Sequence, residues 1–129
     1  MKSIRFHEFG NANVFRYEDA PKPTINDDEV LVQLKAASLN HHDVWTLRGV
    51  ATPESNLPIV LGGDAAGITD HGREVVVHAV IGDAAGHGGD ETLDPRRSLL
   101  SEVFDGTLAT EVWVPAENLV DKPEFLSFD

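Results

Sequence analysis

Two stretches decide how this chain is read: AASLNHHDVWTLRG (residues 36–49) and LPIVLGGDAAG (residues 57–67). The first begins where an apolar strand, Val30-Leu31-Val32-Gln33-Leu34, runs out. It then sets Asn40, His41, His42 and Asp43 in succession, with Trp45 and Arg48 just beyond. The second places Gly62, Gly63 and Asp64 inside an apolar run, where glycine marks a turn or a close backbone approach. A polar knot at the end of a strand, faced by a glycine-rich segment, is a common way to build a site on a rigid scaffold. The rest of the chain reads as the barrel that holds the two segments together.

Working outward, residues 2–9 alternate as a strand does, with Ile4, Phe6 and Glu8 on one face. Gly10-Asn11 breaks that run, and a second strand is expected over Val14–Glu18. Pro21-Lys22-Pro23 is a stiff connector, since each proline fixes its φ and removes a donor. Asn26-Asp27-Asp28 is a turn cluster. Glu29–Leu39 is the strongest strand, with Val30, Val32 and Leu34 on one face and Leu31 and Gln33 on the other. Asn40–Arg48 reads as a short helix closed by Gly49. An Asn at the N-cap with an acid three residues on has the form of a capping box. A loop over Val50–Leu57 leads through Pro58 into the apolar run. Asp64–Asp70 and Glu74–Val80 read as strands joined by a tight turn at Asp70-His71-Gly72-Arg73. Gly82–Arg97 is a long irregular stretch, Gly106–Pro115 the last clear strand, and the tail from Glu117 has no obvious closing element. Five or six short strands, one short helix and many turns make a mainly β barrel or sandwich.

The composition narrows the function classes. A chain of 129 residues is one domain, and its hydrophobic fraction of 41% is that of a globular fold. Twenty-two acids against ten basic residues give a net charge of -12, and the densest basic spot is Arg96-Arg97. A phosphate backbone needs clustered Lys and Arg, so the charge pattern argues against nucleic acid as a partner. The absence of cysteine removes disulfides, thiolate-bound zinc and a thiol nucleophile. No apolar run approaches membrane-spanning length and no signal peptide is evident, so a cytoplasmic location is the expectation.

Taken in order, the pieces carry a resemblance. They are the opening strand with Gly10, the Pro21-Lys22-Pro23 connector, EVLVQLKAASLNHHDVWTLRG (29–49), LPIVLGGDAAG, GREVVV (72–77), DGTLATEVWVPAENLVDKP (105–123) and the closing PEFLSFD (123–129). Together they span nearly the whole chain, and they resemble the N-terminal, GroES-like catalytic domain of the medium-chain dehydrogenase/reductase superfamily. The zinc-free, quinone-oxidoreductase-type branch is the most similar. The resemblance implies a mainly β, partly open GroES-like barrel with one or two short helices. It also implies a substrate-side domain of an NAD(P)-dependent oxidoreductase acting on a small carbonyl, quinone or alcohol.

Two departures from the family matter. Zinc-dependent alcohol dehydrogenases carry a cysteine ligand where this chain has Asn40 and a histidine ligand where it has Gly63, followed by an acid that here is Asp64. Both ligands and the four-cysteine structural zinc lobe are missing, so the family's zinc site does not carry over. Full-length members also continue into a nucleotide-binding domain with a glycine-rich turn at a helix N-terminus. No such turn occurs here, and Gly82, Gly86, Gly88 and Gly89 lie among acids. The cofactor domain is therefore expected to be absent from this chain, which alone should neither bind NAD(P) nor turn over. An apolar docking patch, met by homodimerisation, would accompany that reading. The alternative is a free-standing GroES-like binding module with a polar surface in that place.

Asn40 and Asp43 are the candidate catalytic pair, with His41, His42, Trp45 and Asp64 lining the cleft. A side-chain amide can orient a carbonyl oxygen, although helix capping needs the same residues at the same spacing. His41 and His42 are adjacent, so they do not share a helix face. A meeting of His42 with Asp64 or His78 is weighed against ordinary hydrogen bonding, which is favoured. Trp45 walls a pocket or fills the barrel mouth. Asp64 in an apolar run is expected to be buried, with Arg48 as its partner. His87, Asp90, Glu91 and Asp94 do not have EF-hand spacing and read as a solvated acidic loop. None of the serines stands in a nucleophile-elbow context.

Overall fold

A computed structural model describes residues 1–22 and 26–129. Ten strands and one α-helix are present among these residues, so several short strands escaped the sequence pattern. Strand β1 (Lys2–Phe6) lies between β2 (Arg16–Asp19) and β4 (Ile59–Val60). Strands β3 (Glu29–Ser38), β5 (Asp64–Thr69), β6 (Glu74–Val77), β9 (Glu111–Pro115) and β10 (Leu119–Asp121) form a five-stranded sheet in the order β10-β6-β5-β3-β9. A small pair joins β7 (Val80–Ile81) to β8 (Ser98–Leu99). Each of these ladders is antiparallel. The short helix α1 (His41–Leu47) follows β3 directly. This is the curled, mainly β half-barrel that the resemblance implied.

The alternation of β3 explains its central place. Val32 is fully buried and Val30 and Leu34 pack beside it, against Ala65, Val75, Val77, Val112 and Val114 from the neighbouring strands. A second core gathers Phe6, Leu47, Ile59 and Leu61 under the helix. The chain between the two cores is stitched by main-chain bonds: Ile4 N–H to the Leu108 carbonyl, Thr110 N–H to that of Lys2, and Gly106 N–H to that of Val60.

One irregularity positions the site. The pairing of β3 with β5 passes from Leu34↔Gly67 to Ala36↔Ala66, which leaves Lys35 as an extra residue. A bulge of this kind reverses which face each following side chain occupies. Ser38 thereby pairs with Asp64 on the face away from the core, at the point where the chain turns into α1.

Several boundaries differ from expectation. Strand β1 stops at Phe6, and Glu8 lies beyond it and exposed; within the strand Ser3 and Phe6 are the buried positions. The second strand starts at Arg16, because a single 3-10 turn occupies Ala12–Val14. Gly82–Arg97 contains two 3-10 turns, Ala85–His87 and Glu91–Leu93, which local side-chain bonds from Asp83 and Asp90 hold. The tail has a closing element after all: β10 pairs with β6 from Leu119↔Val77 to Asp121↔Val75. The Pro21-Lys22-Pro23 connector lies partly outside the described residues, since Pro23 is not among them.

Candidate functional site

Asn40 leaves β3 in an extended conformation and caps α1. Its main-chain N–H donates to Asp43 Oδ2 at 2.7 Å, the acidic half of the expected capping box. Asp43 is only 5% exposed, so both oxygens need donors. The second donor is the Gly62 N–H, 2.9 Å from Oδ1. One carboxylate thus ties the start of the helix to the glycine-rich segment 19 residues away.

That segment passes through a narrow gap. Gly62 has φ of +102°, and a Cβ there would lie 2.5 Å from Thr107 Oγ1 and 2.9 Å from the Leu108 nitrogen. Glycine is required on both counts. Thr107 in turn donates its hydroxyl to the Asp64 carbonyl at 3.0 Å. Gly63 is different: a Cβ would meet nothing nearer than Ala79 Cβ at 3.8 Å, so this position is open to a side chain.

Asp64 is exposed, which corrects the expectation of a buried acid. Its Oδ2 accepts the Asn40 amide at 2.8 Å and the Ser38 hydroxyl at 3.1 Å, while the Arg48 side chain lies at the exposed far end of α1. The alternation of β5 is the physical reason: Ala65, Gly67 and Thr69 face inward and Asp64 falls on the other face, where the bulge in β3 brings Ser38 alongside it. Asp64 therefore orients the Asn40 amide. An open trough of about 300 Å³ runs beside it, walled by Ala36, Ala66 and Val76.

The two histidines part company, as adjacent helical residues must. His41 is exposed, whereas His42 turns toward the barrel and places Nε2 2.9 Å from Glu102 Oε1. Neither Asp64 nor His78 is its partner; His78 bonds Glu91 at 2.7 Å instead. Trp45 is 51% exposed, so it does not fill the barrel core. Leu39, at 72%, and Val50, at 51%, are exposed on either side of the helix. Asp94 is committed locally, taking the N–H groups of Arg96 and Asp83, which hold its carboxyl far below the ordinary range.

Sequence reasoning did not find Glu102, Ser38 or Thr107. Glu102 and Thr107 reach the site from distant turns, and Ser38 is turned toward it by the bulge in β3, so no local pattern marks them. Burial opposes ionisation of Glu102, but His42, the Leu99 N–H and the Ser98 hydroxyl together outweigh it and hold the carboxyl below its ordinary value. Among the described residues no cluster of three or more His, Cys, Asp or Glu side chains is placed to hold a metal ion. No helix of the described residues is long and apolar enough to cross a membrane.

Comparison with known proteins follows the geometry. A family profile for the alcohol dehydrogenase GroES-like domain matches residues 26–124. A zinc-type alcohol dehydrogenase-like protein of Schizosaccharomyces pombe is 36% identical over 112 residues, covering 81% of this chain and 32% of that protein. An alcohol dehydrogenase of Geobacillus stearothermophilus is 29% identical over 126 residues, covering 87% of this chain and 37% of its own length. A solved NAD-dependent alcohol dehydrogenase superposes with a TM-score of 0.90 at 37% identity, over 99% of this chain and 41% of that one. The chain spans about a third of the length of these curated relatives.

Two outcomes test this geometry. Gly62→Ala should destabilise by about 2 kcal/mol or more, from the forced left-handed backbone and the clash with Thr107, whereas Gly63→Ala should stay within about 1 kcal/mol; urea unfolding measures both. The lowered carboxyl of Glu102 contributes stability that is present above the ordinary glutamate pKa of about 4 and lost as pH falls through the folded value. Unfolding midpoints followed from neutral pH downward should therefore fall less steeply for Glu102→Gln than for the parent chain.

Proposed function

The chain belongs to the alcohol dehydrogenase GroES-like domain family, and from that premise we propose that it is the substrate-side domain of an NAD(P)-dependent oxidoreductase of the alcohol dehydrogenase or quinone reductase type. The reaction is hydride transfer between a nicotinamide and a small carbonyl, quinone, activated alkene or alcohol. The nicotinamide supplies the hydride chemistry when bound, and this chain supplies positioning and electrostatics. Polypeptide of the kind that makes up the other two thirds of the relatives holds the cofactor. The described residues contain no parallel strand–helix–strand unit to receive a pyrophosphate, so the chain by itself should not turn over. A cytoplasmic enzyme is the setting this reading implies.

The observation that carries the reading is the doubly anchored Asn40. Its main chain is held by Asp43 and one amide hydrogen by Asp64, which fixes the direction of the other. An amide has two N–H donors, so one remains for a ligand oxygen that gains charge during reduction. Asp43 acts through Asn40 and Gly62, whose N–H groups it holds, and His41 and Trp45 flank the opening. The exposed Leu39, Trp45 and Val50 and the trough beside Asp64 support a surface that is covered in the whole enzyme.

The chain's own donors do not fit the zinc of the metal-dependent relatives. Zinc takes thiolate, imidazole and carboxylate ligands in a tetrahedral set. Asn40 offers an amide already bonded to Asp64, and Gly63 offers no side chain. The proposed chemistry therefore has the Asn40 amide, not a metal, facing the substrate oxygen.

The test is steady-state kinetics of the complete enzyme from the source, scanned with aldehydes, quinones and alcohols and both nicotinamide cofactors. Asn40→Ala should lower kcat by about 10²–10³-fold, the loss typical of one oriented donor, with a much smaller change in KM. Unchanged kcat in that variant, or absence of any nicotinamide-dependent turnover, contradicts the proposal.

A further inference from the structure

His42 and Glu102 lie 60 residues apart in sequence and 2.9 Å apart in space. Both side chains are well covered, at 27% and 14% exposure. An ionised carboxylate only accepts hydrogen bonds, so the proton of a neutral His42 ring must sit on Nε2. That leaves Nδ1 as an acceptor, and the Ser101 hydroxyl is the donor facing it at 3.5 Å. Glu102 has no freedom to choose another partner. Its second oxygen receives the Leu99 N–H at 3.0 Å and the Ser98 hydroxyl at 3.1 Å.

The turn that carries Glu102 is itself fastened to the barrel. Leu100, fully buried, donates its N–H to the Ala79 carbonyl, and Asn56 donates its amide to the Glu102 carbonyl. Asp105 accepts the Val60 N–H at 2.9 Å. Ser101 is fully buried with φ of +71°, a conformation that a serine adopts only where its surroundings impose it. The helix on the other side of the pair has seven residues, too few to hold its own orientation in water. Its direction must come from what it is tied to.

We propose that Glu102 is a positioning residue for the candidate cleft: it fixes the His42 ring as the Nε2–H form and, through that ring, sets α1, which carries Trp45 and begins at Asn40. The inference rests on the dehydrogenase reading for its functional meaning, since the helix that Glu102 steadies begins at Asn40, whose substrate-facing amide Asp64 orients. The barrel dictates and the helix follows, because Glu102 Oε2 is held by the Leu99 N–H and the Ser98 hydroxyl of its own turn, which leaves Oε1 aimed at the ring.

Nuclear magnetic resonance on the isotopically labelled chain tests this without substrate or cofactor. Long-range proton–nitrogen spectra at mildly alkaline pH read the ring form of His42, and the Asn40 amide and Trp45 indole resonances report the cleft. In the parent chain His42 should appear in the single Nε2–H form. Glu102→Leu should give a mixture of ring forms and shift both reporter resonances, and Glu102→Gln, whose single oxygen is claimed by the Leu99 N–H so that its NH2 turns to the ring, should draw His42 toward the Nδ1–H form. A His42 ring protonated at Nδ1 in the parent chain overturns the proposal, as do unmoved Asn40 and Trp45 resonances in a folded Glu102→Leu. Should that variant not fold, His42→Leu removes the same pairing from the helix side and must shift the Asn40 resonance. Failure of the dehydrogenase reading shows separately, as absent turnover in the complete enzyme with these spectra unchanged.

Discussion

A single buried carboxylate holds the two halves of the site together. Asp43 receives the Asn40 N–H and the Gly62 N–H, and the Asn40–Asp64 and Ser38–Asp64 bonds cross between the same segments from exposed groups. Without it the buried Gly62 N–H would be unpaired, at about 1–3 kcal/mol, and the Asn40 N–H would lose its acceptor at the helix start. The rest of the arrangement depends on this tie. It fixes the first turn of α1, threads Gly62 past Thr107, and delivers Asp64 to the spot where Asn40 and Ser38 meet it.

The barrel and the helix were legible in the sequence because their causes are local. Val30, Val32 and Leu34 alternate in the strand manner, and the Asn40–Asp43 spacing announces a helix start that the structure places at His41. What the sequence hid was non-local or irregular. The bulge at Lys35 leaves no mark on the alternation that precedes it, yet it decides that Ser38 meets Asp64 on the face away from the core. Strands of two or three residues, such as β4 and β10, are too short to show a period and exist because a neighbour offers them an edge. Glu102 bonds His42 across 60 residues, a pairing that only the folded chain brings about.

Acidity takes on structural meaning at this site. Asp43, Asp64 and Glu102 each act as an acceptor that orients a neighbour: a main-chain turn, an amide and an imidazole. Oriented dipoles of this kind are already aligned before charge develops, which is what the role proposed for the Asn40 amide requires. In the proposed reading, the open position at Gly63 and the amide at Asn40 stand where the metal-dependent relatives have ligands, and space and hydrogen-bond direction take their place.

Amide hydrogen exchange at Gly62 tests the central claim most directly. If Asp43 is the tie, the Gly62 N–H exchanges only through global unfolding in the parent chain and becomes locally labile in Asp43→Ala, with the sheet amides of β3 and β5 still protected. Rapid exchange at Gly62 in the parent chain, or protection unchanged in the variant, would show that the two segments are held together by something else.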